Sequence, residues 1–111
     1  MKCLDVFILL FYGLDNIYDK QPNEVLGDFL SGMNPFLFKD EGSAVPDIYN
    51  KFKKSFKGRF ENECSEIEGY YFAKDYIYKL NIKELIDAFE KISLEQWITA
   101  VKLYSENNQN Y

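Results

Sequence analysis

Apolar residues recur along this chain with helical spacing. Between positions 2 and 19, Leu4, Phe7, Ile8, Phe11, Leu14 and Tyr18 fall at the i, i+3, i+4, i+7 steps of one helix face. Val6, Leu9 and Leu10 add apolar surface elsewhere around the wheel, which predicts a central helix contacted from several sides. Gly13 costs about 1 kcal/mol relative to alanine in a helix interior and marks a close crossing by a neighbour. Lys20-Gln21-Pro22 ends the segment. Asn23 is an N-cap for a short second helix, with Glu24 favourably placed at its positive end. Val25, Leu26, Phe29, Leu30 and Met33 form that helix's buried face, and Gly32 or Asn34 supplies its terminating turn. Pro46 opens a third helix at its first position. There Ile48, Phe52, Phe56 and Phe60 make a four-residue stripe, while Lys51, Lys53, Lys54, Lys57 and Arg59 lie off it.

The second half carries three capping-box patterns, in which a short polar side chain and a Glu or Gln three residues later exchange hydrogen bonds. Ser65 with Glu68, Asn81 with Glu84 and Ser93 with Gln96 predict the starts of helices four, five and six. The predicted core positions are Ile67, Tyr70 or Tyr71, Ala73, Ile77 and Leu80 on helix four. Leu85, Ile86, Phe89 and Ile92 follow on helix five, then Leu94, Trp97, Ile98, Val101 and Tyr104 on helix six. From Ser105 the tail is polar and aperiodic, and fraying is expected. The long break lies at 34–47, where Pro35 and Pro46 bias Asn34 and Val45 away from the helical region. Phe36, Leu37 and Phe38 inside it are expected to anchor the connector to the core. The reading is all-α, a compact bundle of about six helices in a single domain over 1–111.

Composition supports a packed domain. Of 111 residues, 47% are apolar and 18% aromatic, and this length buries about two-thirds of the unfolded chain's surface. The net charge of −5 disfavours a general nucleic-acid binder, whose affinity comes from neutralising phosphates, and suits a basic partner. Cys3 and Cys64 lack metal or disulfide spacing and read as reduced thiols in a cytoplasmic protein. The apolar run from Val6 to Tyr12 is interrupted upstream by Asp5, has no small-residue cleavage site, and is far shorter than the ~20 residues of a membrane span. It reads as a buried helix.

Chemistry is sparse. The chain has no histidine, which removes the commonest general base, the Ser-His and Cys-His pairs and histidine-bearing metal motifs. Its six glycines are scattered, so no phosphate-cradling loop is present. Glu63 and Glu66 flank Cys64 and disfavour its thiolate. The pairs Asp15 with Asp19 and Glu84 with Asp87 read as solvated faces, since a di-metal bundle needs Glu-x-x-His. Phe52 and Phe56, interleaved with the basic run, belong to the core stripe and are withdrawn from base stacking. No catalytic residue, cofactor or metal is expected.

The acidic run Glu61, Glu63, Glu66 and Glu68 brackets the start of helix four, followed by Tyr70 and Tyr71. Acids beside surplus tyrosines suggest a protein-binding face, because tyrosine offers large contact area with a polar tip. Asn34-Pro35-Phe36-Leu37-Phe38, then Gly42-Ser43-Ala44-x-Pro46 with Tyr49 and Phe52, resembles the immunity proteins that accompany contact-dependent growth inhibition toxins in bacteria. Val45 stands where the pattern has Asp. The resemblance implies a non-enzymatic cytosolic protein that binds a cognate toxin domain, often a basic nuclease, without identifying the toxin's activity or the interface. From the acidic charge and the shortness of the apolar run, no direct contact with nucleic acid or membrane is expected. The alternative is a helical regulatory or scaffold module with no toxin partner.

Overall fold

A computed structural model describes residues 1–36 and 43–109, without the side chains of 107–109. The described residues form six helices: α1 (Cys3–Lys20), α2 (Glu24–Met33), α3 (Pro46–Phe60), α4 (Glu66–Leu80), α5 (Lys83–Glu90) and α6 (Leu94–Gln109). The all-α bundle is as the periodicity predicts, and α1 is its axis, packing against each of the other five. Val6, Phe7, Leu9, Leu10, Leu14 and Ile17 are buried around its circumference. The expected close crossing occurs at Gly13, where a Cβ would stand 2.8 Å from Ile92 Cδ1. Tyr104 Oη donates to Asp5 Oδ1 at 3.0 Å, while Ile17 and Trp97 line a common cavity. α1 and α6 therefore run antiparallel along one seam.

Aromatic rings join α1, α3 and α4. Phe7 meets Tyr49 and Phe52 edge-on, each at 5.0 Å between centroids. Phe52 passes the contact to Phe72 and Tyr76, and Phe56 and Phe60 also close on Phe72. Edge-to-face pairs of this kind add about 0.5–1.5 kcal/mol each beyond area burial. The phenylalanine stripe of α3 is thus core, and its lysines point outward or lie half-buried.

Asn23 caps α2, its Oδ1 accepting from Leu26 N at 2.7 Å, and Pro46 opens α3 as expected. The connector leaves and returns at one place: Ala44 N donates to Asn34 O at 2.9 Å and Val45 N to Gly32 O at 2.8 Å. Gly32 permits this approach, since a Cβ there would lie 2.9 Å from Ile48 Cδ1. Ser43 is buried, its hydroxyl donating to Val45 O and accepting from Tyr49 N.

Several expectations are corrected. Asn81 does not cap α5; it ends α4 in the left-handed conformation, φ 56° and ψ 40°, and Ile82 is the N-cap residue of α5. A four-residue pattern shared by two abutting helices cannot say which helix owns the polar residue. Ile67 and Leu80 are exposed, not core, and Phe72 takes the interior place instead. Val25 is likewise exposed. α6 continues to Gln109, past the Ser105 break expected from composition. Phe36 is 58% exposed and touches Phe11 and Tyr12 at the surface. Leu37 and Phe38 lie outside the described residues.

Candidate protein-binding face

The acidic run spans the turn between α3 and α4 and the first turn of α4, and this stretch is held at nearly every residue. Glu61 ends α3 at φ 61°, ψ −73°, and Asn62 N donates to Phe60 O at 2.7 Å. These are the marks of a γ-turn of the strained hand, a conformation costing about 1–3 kcal/mol for a residue with a side chain. Glu63 then pairs with Lys2 in an antiparallel bridge. Met1 N donates to Cys64 O at 2.6 Å, and Cys64 N returns a bond to Met1 O at 2.9 Å. Ser65 completes the run with a reciprocal capping box: Glu68 N donates to Ser65 Oγ at 3.1 Å and Ser65 N to Glu68 Oε1 at 2.8 Å. Glu66 is fixed through its carbonyl, which accepts from Trp97 Nε1 at 3.0 Å.

The four glutamates therefore differ. Glu61, Glu63 and Glu66 are exposed, and among the described residues none of them enters an ion pair. Glu68 is occupied in the cap. Hydrogen bonds from the Ser65 backbone, then its side chain, hold its carboxyl below the usual glutamate range. It is a structural acid.

The two tyrosines also part. Tyr70 is 9% exposed, packs on Phe89 and Trp97, and donates from its hydroxyl to Ile92 O at 2.6 Å. Burial, then the neighbouring Tyr71, raises its pKa. Tyr70 is a core residue, which corrects its assignment to the partner face. Successive helical side chains rotate by about 100°, so Tyr70 joins Ala73 and Ile77 inside while Tyr71 turns out. Tyr71 is 45% exposed and steadied by edge contact with Tyr70. Ile67, one turn earlier and 53% exposed, stands beside it. Sequence reasoning missed Ile67 by assigning it to the core. The available sign was the crowding of α4, which has more apolar residues than one face can hold.

A cavity of 570 Å³ opens next to this face at the Asp5 end of the α1/α6 seam. Ile67, Cys64 and Val101 supply apolar wall, and Asp5 and Glu66 supply carboxylates. Asp5 accepts from Lys2 N and from Tyr104 Oη, each at 3.0 Å. Met1, whose ammonium donates to Cys64 O, lines the same cleft and offsets part of the carboxylate charge. The Cys64 thiol is buried there and pushed up by desolvation, so it is a poor nucleophile.

Elsewhere, burial first and then Asp19 raise the Asp15 carboxyl. Among the described residues no group of three His, Cys, Asp or Glu side chains is placed to hold a metal ion, and no helix is long and apolar enough to cross a membrane. Comparison with protein families, with curated proteins and with solved structures found no match to this chain.

Proposed function

We propose that the protein is a non-enzymatic, cytosolic immunity protein that captures a basic toxin domain through the α3–α4 turn. The supporting observation is that Glu61, Glu63 and Glu66 stand exposed and without ion pairs among the described residues, on a backbone anchored to α1's N-terminal end and by the Ser65 cap. Fixing the turn before encounter spares the ordering cost of binding. Exposed carboxylates steer a basic surface and raise its association rate, while Ile67 and Tyr71 supply contact area that holds it. A nuclease, with its basic substrate surface, is the toxin class that this charge complements.

Co-expression with the cognate toxin domain should restore growth and yield a stable complex; continued killing sinks the reading. Reversing Glu61, Glu63 and Glu66 to lysine should slow association about tenfold or more at low salt and flatten its salt dependence. Glu68 is left intact because its reversal would damage the helix cap. Unchanged association would mean that the acids are merely solvated. A pull-down that returns a housekeeping assembly in place of a toxin would instead favour a regulatory or scaffold module.

A further inference from the structure

The α1/α6 seam opens a second time, at the end away from Asp5, into a cavity of 460 Å³. Its floor is apolar, formed by Leu9 and Ile17 of α1, Ile92 of the α5–α6 turn, and Trp97 and Ala100 of α6. Gly13 belongs to the same lining, and its missing Cβ lets Ile92 approach α1. On one rim Tyr12, 46% exposed, extends the apolar surface to the Phe36 ring at 5.7 Å.

The polar end is cationic. Lys20 and Lys91 both line the mouth, and Lys91 Nζ is drawn to it by donating to Gln21 Oε1. Among the described residues no carboxylate lines this cavity. Neighbouring cavities hold Asp5 with Glu66, or Asp15 with Glu24 and Asp28. Volume, floor and charge together match the common small-molecule site, apolar with a few polar groups that orient the ligand.

We propose that the α1/α6 groove binds an amphipathic organic anion, an apolar body bearing one carboxylate or phosphate head. The body lies against Ile92 and Trp97, and the head pairs with Lys20 and Lys91. The inference is independent of the toxin-binding reading, since it uses the opposite end of the seam and no residue of the acidic turn.

Trp97 is the sole tryptophan and is buried in the groove wall, so its emission is the readout, with Ala100→Leu as the control that ties the signal to the groove. Dodecanoate and dodecyl phosphate, titrated below their micellar range into the purified full chain, should each shift Trp97 emission saturably. The tighter of the two identifies the head group. Dodecanol should bind about tenfold or more weakly. The double variant Lys20→Gln/Lys91→Gln, altered only at exposed positions, should weaken both anions about tenfold and leave dodecanol unchanged. Ala100→Leu should fill the groove and abolish all three responses. The proposal is overturned by an absent or non-saturable shift, by equal affinity for dodecanol, or by a double variant that binds like the parent. A dimer seen by sedimentation that Ala100→Leu disrupts would assign the groove to a second copy and also overturn it. Loss of toxin-domain binding on Ala100→Leu would assign it to that interface, with the same consequence.

Discussion

Glu61 carries the most costly backbone angle among the described non-glycine residues. Only Glu61 and Asn81 of these have positive φ, and Glu61 alone combines it with ψ −73°. Glycine adopts this conformation without a Cβ clash, so Glu61→Gly should raise stability by about 1 kcal/mol. Urea denaturation checks this; a loss of stability would mean that the glutamate side chain supports the turn. Tyr76 yields a second prediction at this scale. Packed on Phe52 at 4.9 Å, it has its phenol pKa pushed up by burial to about 12. The unfolded chain releases this proton near the ordinary value of 10 while the folded protein retains it. The contribution is therefore complete below pH 10 and is lost as pH rises through about 12. Tyr76→Phe should flatten the alkaline fall of stability in that window, as read by urea midpoints at successive pH values. An unchanged slope would assign the fall to other groups.

At the scale of elements, the α4–α5 junction shows how capping decides direction. Asn81 tolerates the left-handed region because its short polar side chain offsets part of the steric cost. Asn81→Gly should be neutral or slightly stabilising, and Asn81→Ala should cost about 1 kcal/mol. An N-cap would instead lose about that much on alanine and keep its stability with aspartate. Comparing Gly, Ala and Asp variants by thermal melting separates the two roles. The Ser65–Glu68 and Ser93–Gln96 boxes, by contrast, form as the spacing foretells. Their side chains lie next to only one helix start, which leaves no second owner.

For the molecule as a whole, the buried aromatic chain from Phe7 through Phe52 to Phe72 is the main tie among α1, α3 and α4. Phe52→Ala would open a cavity at its middle and should cost about 3–5 kcal/mol, against a total stability of roughly 5–15 kcal/mol for a domain. The measurement is a denaturant midpoint with unchanged m-value; a loss below about 1 kcal/mol would show that the neighbouring rings collapse into the space.

Helix count, the central place of α1, the aromatic stripe of α3 and two of three capping boxes follow from residue order alone. They rest on periodicity and on hydrogen bonds spanning three or four residues, which are local. Which tyrosine of the 70–71 pair turns inward, the exposure of Ile67 and Phe36, and the ownership of Asn81 depended on which neighbours packed against each helix. The acidic turn was visible as a run of charge, but its rigidity comes from bonds between Met1 and Cys64, 63 residues apart. The groove with Lys20 and Lys91 left no mark in the sequence, because it unites the ends of α1 and α5 with the start of α6. Such long-range proximity exists only once the core has closed.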